Sequence, residues 1–128
     1  MILASQFLAL LAALLHVYIF ALESLWWERP ATRKVFGTSA ADARATRTLA
    51  FNQGFYNLFL AFAVLAGLAF QLAGQLAVGS TLVVTGLGSM LLAALVLGIS
   101  SPEKSSAALK QGALPLLGLI ALALGLLR

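Results

Sequence analysis

Four long apolar stretches, Ile2–Leu25, Leu49–Leu72, Leu76–Ile99 and Ala113–Leu127, alternate with short polar connections. Nearly all the polar exceptions inside them fall toward one end. Three stretches reach the roughly 20 residues that cross a hydrocarbon core, and the fourth does so if it starts near Ala107 and carries Lys110 and Gln111 at its wet end. In lipid every backbone N–H and C=O must pair within the protein, which leaves helices or closed barrels. Barrel strands alternate in polarity, and these stretches do not. The pattern predicts an all-α integral membrane protein, an antiparallel four-helix bundle. The expected helices lie at about 2–25, 40–72, 76–100 and 105–127 of a single transmembrane domain, 1–128. At 62% hydrophobic and 9% charged, the 128 residues leave no stretch for a soluble domain.

The boundaries follow from local chemistry. The first stretch lacks a basic leader and ends in Trp26-Trp27 rather than in a small-residue cleavage site, so it reads as a retained helix with tryptophans in the interfacial belt. Pro30 ends any continuation of that helix. Ser39 to Asp42 resembles a capping box with Asp in place of Glu, so the second helix is expected to start there, its first two turns projecting beyond the membrane with Asp42, Arg44 and Arg47. Gln71, Gly74 and Gln75 supply a short hairpin, and Ser101-Pro102 ends the third helix.

Positive charge is one-sided. Loop one holds Arg29, Arg33, Lys34, Arg44 and Arg47, and loop three holds Lys104 and Lys110; the opposite side has only Arg128, a division of seven against one. The positive-inside rule then puts loops one and three in the cytoplasm and both termini outside, as a multi-pass protein of a bacterial inner membrane. The pI near 10.2 comes from this loop charge, and no nucleic-acid partner is expected. With no cysteine, disulfides, thiolate nucleophiles and cysteine metal sites are excluded; with a single histidine, no metal site is expected.

Depth brings the polar residues together. His16 lies about 21 Å along the first helix, and Glu23 two turns further on nearly the same face. Asn52, Gln53, Tyr56 and Asn57 open the second helix, and Gln111 opens the fourth. The outer half offers Ser5, Gln6, Ser80 and Thr81. Intramembrane polar groups are costly and default to functional candidates, although amides also simply join helices. His16 and Glu23 are the candidate acid–base groups, about 10 Å apart at 1.5 Å per residue, so a substrate or water must stand between them. Small residues such as Gly79, Gly86 and Gly88 permit close helix approach, and Pro115 frees a carbonyl one turn back, near Gln111.

The segments Glu23…Trp26, Arg33-Lys34-Val35-Phe36-Gly37, Asn52-Gln53-Gly54-Phe55-Tyr56-Asn57 and Gln111-Gly112…Pro115 resemble a family of small bacterial and fungal membrane proteins, domain of unknown function 1304. That resemblance covers essentially the whole chain and implies no activity. Loop one and the second helix also resemble the membrane-associated proteins in eicosanoid and glutathione metabolism, through Arg33-Lys34-Val35-Phe36, Arg44…Arg47 and Asn52. This likeness implies four helices, assembly commonly as trimers, and a glutathione site between protomers. The chain departs from it in lacking that family's helix-two Glu and its helix-four arginine and tyrosine, with Lys110 the nearest cation.

The polar cluster predicts a membrane protein whose cytoplasmic-half site binds a small amphipathic molecule, with chemical modification of it left open. Asn52, Gln53, Tyr56, Asn57 and Gln111 would bind it, and the cations Arg33 and Lys34 would attract an acidic group. The expected partners are membrane lipids, a lipophilic or thiol small molecule, and further copies of the chain, a trimer ahead of a dimer. No cofactor is named by the sequence, and turnover is left open. The alternatives are a small proton-coupled exporter working through Glu23 and a structural subunit without a ligand.

Overall fold

A computed structural model describes residues 1–127; Arg128, the one cation counted on the far side, lies outside the described residues. The described chain is helical, without a strand. Helix α1 spans Ile2–Phe20 and runs on through a wider turn at Ala21–Leu25. Two short helices follow, α2 (Pro30–Phe36) and α3 (Ala40–Ala45). Three long helices complete the chain: α4 (Arg47–Leu72), α5 (Leu76–Ser100) and α6 (Ser105–Leu126), the last preceded by a 3-10 turn at Pro102–Lys104. Four segments of 24, 26, 25 and 25 residues are long and apolar enough to cross a membrane. At 1.5 Å per residue each exceeds the roughly 30 Å hydrocarbon thickness. The protein is a multi-pass membrane protein.

The two ends of loop one differ from expectation. Pro30 does not merely stop α1. It occupies the first turn of α2, where its missing N–H costs nothing and its fixed φ suits a helix start. Gly37, at φ 63°, then ends α2 in the left-handed conformation. Ser39 caps α3 as its spacing suggested: its Oγ accepts from the Asp42 backbone N–H at 3.0 Å. The helix expected to run unbroken from there is interrupted at Thr46, whose hydroxyl donates to the Asp42 carbonyl at 2.7 Å. Gln71 is also not a loop residue. It is buried in the last turn of α4, and Gly74, at φ 81°, makes the turn.

Each long helix packs on the next in sequence, and α6 closes against α1. The buried positions of α4 are Ala50, Gly54, Asn57, Ala61, Val64, Gly67, Leu68 and Gln71. Leaving out Gly67, their spacing alternates four and three, the seam of a helix that buries one stripe against its neighbours. The core is built of Ala9, Ala12, Ala13, Ala61, Val64, Val83, Leu87, Met90 and Leu122. The small residues on this list let backbones approach, which drives association where lipid offers no hydrophobic gain.

The closest approach is between α4 and α5. A Cβ built on Gly79 would lie 2.6 Å from the Gly67 carbonyl oxygen, and one on Gly67 would lie 2.8 Å from that of Gly79. Beside this contact a polar chain ties three helices: Gln6 Nε2 donates to Gln71 Oε1 and Gln71 Nε2 donates to Ser80 Oγ, each at 3.2 Å. Gly79→Ala is therefore expected to lower stability by about 1–3 kcal/mol, the usual cost of overpacking a fitted contact. Gly88→Ala, with nothing within 4 Å of the new methyl, is expected to lose nothing. Denaturation of both variants in one detergent checks this, and equal effects would refute the assigned contact.

Candidate functional site

The loop-one end of α1 is shaped by its last turn. The Trp26 N–H donates to the Ala21 carbonyl at 3.0 Å, a bond across five residues that widens the helix into a π turn. Such single turns recur at functional sites. The widened turn lies against α4 because position 54 is glycine: a Cβ there would collide with Ser24 Oγ and sit 3.1 Å from the Phe20 carbonyl. Ser24 Oγ donates to the Phe51 carbonyl at 2.8 Å, and Phe20 meets Phe55 edge-on with centroids 5.1 Å apart.

This docking sets Glu23 against Asn57. Asn57 Nδ2 donates to Glu23 Oε2 at 2.8 Å and, more weakly, to its own helix at the Gln53 carbonyl, 3.2 Å away. Beyond the pair is a cavity of about 390 Å³, lined by Glu23 to Arg29 of α1 and its exit and by Arg47 and Phe51 of α4. Its wall is fixed by Trp27, whose Nε1 donates to the Ala43 carbonyl at 3.0 Å and to Thr46 Oγ1 at 3.3 Å. Trp27 thus ties the end of α1 to the break between α3 and α4. At the rim the Arg29 guanidinium lies over the Trp26 ring, 5.1 Å from its centroid. Glu28 faces Arg44 and Arg47 at 3.8 and 3.6 Å, loose exposed pairs worth little to stability.

The other expected site residues stand elsewhere. His16 is fully buried one heptad before Glu23, with Nδ1 2.9 Å from the Ala12 carbonyl and Nε2 without a partner among the described residues. A carbonyl oxygen only accepts, so Nδ1 carries the proton and Nε2 of a neutral ring is a bare acceptor. Ile2 packs on Gly125 and Ala9 near Gly118, seven residues apart on each helix, and the next such step brings His16 level with half-buried Gln111. Asn52, Gln53 and Tyr56 are exposed, off the α4 seam, and their side chains have no hydrogen-bond partner among the described residues. Lys34 is exposed, while Arg33 is half-buried and its Nε has no partner among the described residues. The polar residues gathered by depth therefore part by helical phase: Glu23 and Asn57 meet, His16 and Gln111 share a level farther in, and Asn52, Gln53 and Tyr56 point outward. A second hollow of about 350 Å³ between α5 and α6 is lined by aliphatic and glycine residues from Leu91 to Leu116 and offers no polar side chain to orient a ligand.

Ser24, Trp27, Glu28, Arg29, Arg47 and Phe51 were not singled out as site residues from sequence. The π turn that assembles them has no residue signature. Gln71 could have been found, since it lies two heptads after Asn57 on the same seam.

A family profile described as "Protein of unknown function (DUF1304)" matches residues 10–123. The chain belongs to this family. Comparison with curated proteins and with solved structures finds no match. The stretch shared with DUF1304 contains the π turn, Glu23, Gly54 and Asn57, as well as both tryptophans of the cavity.

Asn57→Ala in this DUF1304 chain is expected to destabilise by about 0.6–2 kcal/mol, the range for a hydrogen bond between membrane helices. Asn52→Ala, at an exposed and unpartnered position, is expected to leave melting unchanged. Melting curves in a common detergent decide, and a larger loss for Asn52→Ala would show that depth, not phase, groups these residues.

Proposed function

We propose that this protein binds a small amphipathic molecule at the loop-one end of its helices. The observation that carries the reading is the cavity beyond Glu23, which combines a half-buried carboxyl group, aromatic walls from Trp26, Trp27 and Phe51, and a rim of Arg29 and Arg47. A largely preformed hollow with a few placed polar groups is the usual form of a small-molecule site. Its volume of about 390 Å³ suits a polar head. The exposed apolar flanks at Leu25 and Phe51 suit a tail. Glu23 and Asn57 then orient the head, and Arg33 and Lys34 raise the local concentration of anionic ligands.

In this reading the four long helices form an antiparallel bundle in the membrane, with loops one and three in the cytoplasm and both termini outside. The support is the one-sided charge of the loops. Thiol-reagent labelling from outside the cell tests it in a chain free of native cysteine. Ala73→Cys is expected to label and Ala41→Cys to resist, and the reverse pattern would invert the topology. Assembly as a homo-oligomer, trimer ahead of dimer, is supported by the outward amides and phenol of Asn52, Gln53 and Tyr56, which a second copy would supply with partners.

The direct test of binding is native mass spectrometry of gently solubilised protein. An adduct of small-molecule or lipid mass is expected on the wild type, diminished in Glu23→Ala. Such a ligand at a hundred times its Kd would raise stability by about 2.7 kcal/mol. A bare polypeptide in every mild detergent, unresponsive to added amphiphiles, would defeat the reading, and a strictly monomeric mass would defeat the oligomer.

A further inference from the structure

We propose that the cavity takes a zwitterion, with its ammonium group seated at Glu23 and its anionic group held by Arg29 and Arg47. This is the headgroup chemistry of an aminophospholipid or of a free phosphorylated amine, and it rests on the reading of the cavity as a binding site.

Glu23 has one hydrogen bond, from the neutral amide of Asn57, and no cation within ion-pair distance among the described residues. Removing a carboxylate from water without a compensating charge is among the costliest arrangements a fold can hold. Two arginines line the same cavity, yet neither is paired with Glu23. Arg29 is stacked on Trp26, and Arg47 faces Glu28. The chain keeps its own cations away from Glu23, which leaves its free oxygen open to a positive charge that a ligand brings.

The walls agree with that charge. Trp26, Trp27 and Phe51 line the hollow, and a desolvated ammonium is attracted to aromatic rings. A primary amine also has N–H groups to donate to Glu23 Oε1, which has no hydrogen-bond partner among the described residues. The rim supplies the opposite sign. Arg29 has no carboxylate partner among the described residues, and the Arg47 pair is long at 3.6 Å, so both guanidinium groups have donors to offer a phosphate.

The test titrates the purified full-length protein with phosphatidylethanolamine and with its N-acetyl derivative, which keeps the phosphate and tails but loses the ammonium. Trp26 and Trp27 are the only tryptophans of the chain and both line the cavity, so their emission reports occupancy. The amine lipid is expected to bind at least tenfold more tightly. Glu23→Gln is expected to erase that preference and Glu103→Gln, on the exposed turn before α6, to keep it. Displacement by free phosphoethanolamine assigns the ligand to a soluble zwitterion; resistance to displacement assigns it to the lipid. Equal affinity for the two lipids, or a preference that survives Glu23→Gln, overturns the zwitterion while leaving a binding cavity. Emission unmoved by either lipid overturns the binding reading itself. The lipid comparison uses unaltered protein and stands whether or not Glu23→Gln folds.

Discussion

Gly54 is the residue on which the loop-one end depends. Without a side chain there, the π turn of α1 can press its Ser24 and the Phe20 carbonyl against α4. The turn adds a residue to one circuit of α1, and that extra residue changes the phase of everything after it. Glu23 arrives opposite Asn57. Ser24 reaches the Phe51 carbonyl. The chain then leaves the helix through Trp26 and Trp27, which wall a cavity instead of continuing a helix. A methyl group at position 54 would collide with Ser24 Oγ and force this contact to shift.

The fold's legibility followed the strength of each physical signal. Long apolar stretches left little choice but membrane helices, and Ser39 three residues before Asp42 correctly marked a helix start. The seam of α4 was also readable, since Ala50, Gly54, Asn57, Ala61, Val64, Leu68 and Gln71 alternate in steps of four and three. Grouping polar residues by depth missed it. Tyr56 and Asn57 lie at nearly one depth but about 100° apart around a helix of 3.6 residues per turn. One is buried beside Glu23 and the other is exposed. Phase, not depth, decides which groups can meet. The π turn itself was not legible, because its cause is a fit between Gly54 and Ser24, residues 30 positions apart. Pro30 was ambiguous in principle: it ends one helix and begins the next with the same missing N–H.

Polar groups along the seams fall into two kinds. Gln6, Gln71 and Ser80 form a chain at the hairpin end in which Gln71 both accepts and donates. Thr81 and Thr85, though exposed, return their hydroxyls to carbonyls four residues back. Such groups hold helices together or hide from lipid, and they leave nothing for a substrate. Glu23 differs, because its single bond to Asn57 leaves a second oxygen beside a hollow rimmed with guanidinium groups.

This division bears on whether the protein does chemistry. Two acid–base groups act together only when a shared substrate or water lies within hydrogen-bond reach of both. His16 and Glu23 do not share a chamber: the cavity lining includes Glu23 and begins seven residues beyond His16. The Nδ1 proton of His16 is engaged by its own helix, and Nε2 lies buried among packed side chains. Between their levels α1 packs on α4 at Phe20 and Gly54, where a Cβ at position 54 would collide with Ser24 Oγ. In the cavity Glu23 therefore stands apart from His16, with Asn57 as its hydrogen-bond partner and Arg29 and Arg47 in the same lining. A lone carboxyl with one oxygen free beside a hollow has room to meet a ligand group that neither His16 nor Asn57 can reach.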